Sequence, residues 1–101
     1  MYQKDVFDVT IIGGGPAGLY SAFYSGLREM KTKLIEFHSY LGGKVNVYPE
    51  KMIWDIGGQP PMSGEDVIKQ LIGQGMTVHP EIVLIEKIVS VSRLEDGIFC
   101  L

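Results

Sequence analysis

Val9-Thr-Ile-Ile-Gly-Gly-Gly-Pro-Ala-Gly18 is the stretch whose reading decides the fold. A short apolar run breaks into glycines at Gly13, Gly15 and Gly18, and a helix-like pattern follows. The spacing is G-x-G-x-x-G between an expected strand and an expected helix. Each glycine then has its own mechanical task. Gly13 lets the chain turn tightly off the strand, Gly15 leaves room for a pyrophosphate to approach the backbone, and Gly18 lets the helix pack closely on the strand. The helix N-terminus, opening at Pro16 and Ala17, offers free N–H groups and partial positive charge to phosphates. The pattern also calls for an acidic residue about 20 positions on, at the end of a second strand. Lys33-Leu-Ile-Glu36 supplies it. A carboxylate at Glu36 accepts hydrogen bonds from ribose hydroxyls and repels a 2′-phosphate. The bland alternative is a glycine turn with a surface glutamate. The arrival of strand, turn, helix, strand and acid in that order weighs against it.

Working outward, residues 5–12 read as the first strand, near-continuously apolar at its end, which suits a buried parallel strand. Pro16 falls in the first turn of the helix, where its missing N–H costs nothing. Ala17, Tyr20, Ala22, Phe23, Leu27 and Met30 form a broad apolar stripe along it. Gly26 costs about 1 kcal/mol against Ala there and marks close packing, a ligand contact or simple tolerance. Residues 33–37 are the second strand, and two parallel strands joined by one helix make a βαβ unit. Residues 38–61 form a long connection with six glycines and prolines beyond Gly42, but also Tyr40, Tyr48 and Trp54, so it reads as a structured, ligand-facing loop. Gly42-Gly43-Lys44 lacks the upstream glycine and the following Ser or Thr of a phosphate-binding P-loop. Trp54 reads as packing. Ser63-Gly-Glu-Asp66 is a capping box with Asp in the acid place. The helix it opens has Val67, Ile68, Leu71 and Ile72 on one face, with Gly75 as C-cap. From Glu81 the pattern turns to β. Val83-Leu-Ile85 is apolar, Val89 and Val91 alternate with serines, and Asp96-Gly97 signals a two-residue hairpin returning through Ile98 to Leu101.

Composition sets the bounds. A chain of 101 residues is one domain or part of one. With 46% hydrophobic residues and a mean hydropathy of +0.15, some apolar surface is expected to be covered by more chain or by a partner. A net charge of -3 and a pI near 5.2 argue against nucleic-acid binding. The single cysteine, Cys100, excludes an internal disulfide and reads as a small buried strand residue. His38 and His79 are too few and too far apart for a metal site. No targeting or membrane segment is read, so no membrane partner is expected and the cytoplasm is the default compartment.

The loop narrows the reading. Tyr40-Leu-Gly-Gly-Lys-Val-Asn-Val-Tyr-Pro-Glu-Lys51, followed by Trp54-Asp-Ile-Gly-Gly58, resembles the FAD-binding half of flavoprotein reductases with two dinucleotide domains. More narrowly, the chain is similar throughout to the thioredoxin-reductase-like (type 2) ferredoxin/flavodoxin–NADP⁺ reductases of bacteria. The resemblance implies an α/β, Rossmann-like βαβ portion of an FAD domain with a C-terminal β-hairpin. It implies that Gly13, Gly15, Pro16, Ala17 and Gly18 hold the FAD pyrophosphate and Glu36 the adenosine ribose. Gly43 would line the cofactor, Lys44 would lie along its flavin side or simply be solvated, Asp55 would cap the loop or contact the flavin, Tyr48 would stack on the flavin or anchor the loop, and the Ile88 backbone would meet the adenine. In such proteins the FAD domain is discontinuous. Residues 1–101 would be its N-terminal part, with an NADPH domain and a C-terminal FAD segment elsewhere.

The function so implied is electron transfer from NADPH through FAD to ferredoxin or flavodoxin, in a homodimer. No side chain of this chain is expected to act as acid, base, nucleophile or metal ligand. The segment Lys44-Val-Asn-Val-Tyr48 carries no cysteine, which excludes a dithiol relay of the glutathione-reductase type at that place. Two alternatives stay open: a thioredoxin-reductase-like disulfide reductase, and a non-catalytic dinucleotide-binding module. The chain alone is expected to bind FAD weakly or not at all.

Overall fold

The computed structural model describes residues 6–101. Its centre is a three-stranded sheet in the order β1 (Val9–Ile12), β2 (Thr32–Glu36), β5 (Glu81–Leu84), with both pairings parallel. Helix α1 (Pro16–Leu27) connects β1 to β2, and α2 (Gly64–Met76) precedes β5. The expected βαβ unit is therefore present. The expected first strand over residues 5–12 is shorter, starting at Val9, and Asp5 lies outside the described residues.

The sheet is not evenly buried. β2 is central and nearly all of it is buried, as its Leu34-Ile35 run demands. β1 is an edge strand whose residues alternate between half-buried and exposed, and Ile12 is 56% exposed. The apolar run at residues 9–12 reads like a buried strand, but the helices pack on one face only. The core lies between that face and the helices: Leu19, Ala22 and Leu34 are fully buried, with Ile11, Leu41, Leu71, Ile72 and Ile82 packed against them. Burying Leu19 and Leu34 stabilises the fold by about 2 kcal/mol each. On the opposite face Thr10, Ile12, Lys33 and Glu81 line an open groove of about 1040 Å³ beneath the hairpin.

Helix α1 differs from the stripe read in the sequence. Leu19 and Ala22 are its buried residues, whereas Ala17, Tyr20 and Leu27 face outward. Met30 lies beyond the helix. The chain leaves α1 through Glu29 in the left-handed conformation (φ 63°), with Glu29 N–H donating to the Gly26 carbonyl and Met30 N–H to that of Ser25. This is the doubly bonded C-terminal motif usually built on glycine. Gly26 is a packing residue, because a Cβ there would strike the Val78 side chain.

Helix α2 starts as expected. The Ser63 hydroxyl accepts the Asp66 N–H at 3.2 Å, and Val67 and Ile68 are buried. It does not end at Gly75. It runs to Met76 and is capped by Thr77, whose hydroxyl donates to the Gln74 carbonyl. Gly75 is a point of helix–helix contact instead, since a Cβ would stand 3.3 Å from the Leu19 carbonyl oxygen.

The long connection is ordered, as expected, and carries structure of its own. A 3-10 turn occupies Gly43–Val47, and a small antiparallel ribbon pairs β3 (Met52–Ile53) with β4 (Met62–Ser63). After β5, residues 86–91 are irregular, so the alternation at Val89 and Val91 does not form a strand. The hairpin is β6 (Ser92–Arg93) with β7 (Phe99–Cys100). Its connection is longer than two residues: Leu94 N–H donates to Ile98, Gly97 N–H to Leu94, and Glu95-Asp96-Gly97 fill the turn. Cys100 is half-buried rather than buried. No helix among the described residues is long and apolar enough to cross a membrane.

Candidate functional site

The site grows from the end of β1. Gly13 N–H donates to the Ile35 carbonyl at 2.8 Å, extending the β1–β2 pairing by one step, and the chain then turns at φ 107°, a conformation that favours glycine. Gly15 is the N-cap of α1 and Pro16 its first residue. Leu19 is the first residue whose N–H closes a helical bond, to the Gly15 carbonyl, and no side chain caps the end. The Ala17 and Gly18 N–H groups are thus left without an intrahelical partner at the positive end of a 12-residue helix. Gly18 must lack a side chain, because a Cβ would overlap the Gly13 carbonyl.

The loop after β2 folds back on this turn. Gly42 N–H donates to the Gly14 carbonyl at 2.8 Å. Gly43, at φ 64°, sits so near Gly15 that a Cβ on it would lie 2.9 Å from the Gly15 Cα. A Cβ on Gly15 would meet only the Gly43 Cα, at 3.8 Å, within ordinary contact distance. Nothing in the chain itself forbids a side chain at Gly15, so the space beside it is free for a ligand.

Glu36 ends β2 beneath the turn and is only 6% exposed. It is therefore not the surface glutamate of the bland reading. Its Oε1 accepts the Gly14 N–H at 2.7 Å, and Oε2 accepts the His38 N–H at 2.7 Å and lies 3.0 Å from His38 Nδ1. Burial works to raise the Glu36 pKa, but the His38 and Gly14 backbone N–H bonds, aided by the His38 ring, hold the carboxyl below its usual range. Because the carboxylate is ionised, the His38 ring must carry its proton on Nδ1 and donate it.

These observations fit the diphosphate and ribose of a dinucleotide. An uncapped helix end, a glycine with open space beside it and a buried carboxylate at the end of β2 converge on one spot. Gly13, Gly15, Pro16, Ala17, Gly18, Glu36 and Gly43 are brought together there. Lys44 follows Gly43 in the 3-10 turn and is exposed. Tyr48 closes that turn, 60% exposed, with the Lys51 ammonium 5.9 Å from its ring centroid. Asp55 is exposed in the following loop, and Ile88 is half-buried between β5 and β6. Among the described residues no hydrogen bond ties Tyr48, Asp55 or Ile88 to the glycine turn. Trp54 is 72% exposed, so the expectation that it packs is wrong. Sequence reasoning missed Gly14, Gly42 and His38. The middle glycine of the Gly-Gly-Gly run and a histidine two residues past the acid were the available signals.

Comparison with known proteins bears out the resemblance. No family model matches. The chain is 68% identical, over all 101 residues, to ferredoxin–NADP reductase 1 of Bacillus mycoides, and 66% identical to that of Bacillus cytotoxicus. The protein of that name from Oceanobacillus iheyensis matches at 67% over 95 residues. The chain spans 29% of the length of each of the two Bacillus proteins and 27% of the third. Among solved structures it superposes on thioredoxin reductase of Lactococcus lactis with a TM-score of 0.76 at 28% identity, covering 89% of this chain and 28% of that one. A ferredoxin-flavin thioredoxin reductase of Clostridium acetobutylicum gives 0.72 at 31% identity over 87% of this chain and 29% of that one. Thioredoxin reductase of T. acidophilum gives 0.79 at 21% identity over 95% of this chain and 30% of that one, a likeness of fold alone. The fold is that of a Rossmann-type FAD domain of the thioredoxin-reductase kind.

Proposed function

We propose that this chain is the N-terminal part of a discontinuous FAD-binding domain, in a longer reductase that passes electrons from NADPH through FAD to ferredoxin or flavodoxin. The observation that carries the reading is the glycine turn locked onto Glu36 at an uncapped helix end. Similarity along all 101 residues to 29% of the length of ferredoxin–NADP reductases supports the choice of reaction. The chemistry a bound flavin supplies is the exchange of a hydride for single electrons. This chain's residues bind and orient. The Ala17 and Gly18 N–H groups and the α1 dipole meet the pyrophosphate, and Gly13, Gly15, Pro16 and Gly43 shape the space for it. Glu36 accepts the ribose hydroxyls. Lys44, Tyr48 and Asp55 lie along the flavin side, and the Ile88 backbone meets the adenine. NADPH is bound by another domain, and the whole protein is a cytoplasmic homodimer.

Titrating ADP into the isotope-labelled chain and following amide resonances tests the site. The Ala17 and Gly18 amides are expected to shift, and Gly15→Val to abolish the response; unmoved amides at millimolar ADP would refute the reading. The chain alone is expected to retain far less than one flavin per molecule, read from the absorption band at about 450 nm. A stoichiometric band would overturn the idea that the site is completed elsewhere. Structural likeness to thioredoxin reductases favours disulfide reduction as the second reading. A Cys-x-x-Cys in the companion NADPH domain of the whole protein would support it over ferredoxin reduction.

A further inference from the structure

We infer that the His38 ring is a lid on Glu36 that competes with an adenine nucleotide's ribose for the carboxylate. The inference rests on the nucleotide-site reading above and concerns what sets the affinity of that site. An ionised carboxylate has about four lone-pair positions. Three are already engaged: by the Gly14 N–H on Oε1, and by the His38 N–H and His38 ring on Oε2. A ribose diol offers two donors, so one existing bond must open before both hydroxyls can be accepted.

The two backbone bonds cannot open without dismantling the fold. Gly14 is fixed by Gly42, and the His38 backbone is held on its other side, where its carbonyl accepts the Ile85 N–H at 3.1 Å. The ring can swing away. Its side chain is 54% exposed while that of Glu36 is 8% exposed, so the ring forms the outer layer over a shielded acceptor. Its other neighbours are aromatic, Phe37 at 5.4 Å and Tyr40 at 5.1 Å between centroids. They offer it an apolar rest without a competing charge.

Among the described residues, the titratable side chains in recorded contact with the ring are those of Glu36 and Tyr40. Glu36 lies on β2 and Tyr40 in the same loop. Glu86, from the segment after β5, donates its backbone N–H to the Glu36 carbonyl. A protonated ring grips an ionised Glu36 more firmly than a neutral one. Nucleotide affinity, read from about pH 8 down to about pH 5, should therefore weaken as the ring gains a second proton.

The test is ADP affinity across that range for the wild-type chain, His38→Ala and His38→Phe. The Phe variant keeps a ring against Phe37 and Tyr40 but cannot donate, and it reports the pH dependence of everything else, the ADP phosphates included. Both variants are expected to bind about tenfold more tightly than wild type at the acidic end, the affinity equivalent of one hydrogen bond to a charged group. Both are also expected to lose the part of the pH slope due to the ring. If ADP moves the Ala17 and Gly18 amides but neither variant binds more tightly, or the wild-type slope persists in His38→Phe, the lid is refuted and the nucleotide site stands. If ADP moves those amides in none of the three proteins, the site reading fails and the lid falls with it.

Discussion

Two regions of this chain are built to different standards. At the glycine turn, three loops meet through backbone hydrogen bonds, a buried carboxylate and glycines in direct contact. Along residues 48–58 and through the hairpin, large side chains stand in solvent: Tyr48 at 60%, Trp54 at 72%, Phe99 at 63%. The first region is tied together by the chain's own backbone and side chains. The second consists of two-residue strands and exposed aromatics. On the function proposed above, the first region would hold the diphosphate and ribose of a dinucleotide and the second would lie along its flavin half.

Substitutions should separate the two regions by size of effect. Gly18→Val drives a side chain into the Gly13 carbonyl, a backbone atom that cannot yield. It should cost more than about 4 kcal/mol, most of the stability of a marginal domain, as denaturant titration would show. Leu19→Ala empties the centre of the core and should cost about 3 kcal/mol in the same assay. Glu36→Gln keeps the shape but loses charge-assisted acceptance from Gly14 and His38, and should cost about 1–2 kcal/mol near neutral pH.

The Glu36 carboxyl titrates below its ordinary 4.5 in the folded chain, so it contributes its full stability above that pH. The contribution drains away as pH falls through the folded value. Wild type should therefore lose its advantage over Glu36→Gln on acidification, and a constant difference down to strongly acid pH would contradict the burial and bonding of this side chain. Trp54→Ala should change stability by less than about 0.5 kcal/mol. A large effect there would erase the contrast between the two regions.

What could be read from the sequence follows the same division. The glycine turn, Glu36 and the Ser63 cap are local patterns, each fixed by residues within a few positions or by one known spacing, and each was legible. The covered face of α1 was not. Leu19 and Tyr20 are adjacent and both apolar, and only the position of the sheet decides that Leu19 is buried while Tyr20 is exposed. The exposure of Ile12 follows from helices lying on a single face, which the Val-Ile run cannot encode. Gly75 looks like a helix end until α1 is seen against it, and the β3–β4 ribbon is too short to leave any alternation. Tyr48, Asp55 and Ile88 sit in no local pattern of their own, and among the described residues no hydrogen bond joins them to the turn.

The contact between Gly15 and Gly43 has a genetic consequence. Damage at one packed position is often repaired by shrinking its neighbour. Here both neighbours are already the smallest residue available, and Gly43 also holds a backbone angle that other residues resist. A bulky residue at position 43 therefore has no suppressor at position 15. Revertants selected from such a variant should restore glycine itself or move the whole Leu41–Gly43 segment outward, and never arise at the partner site.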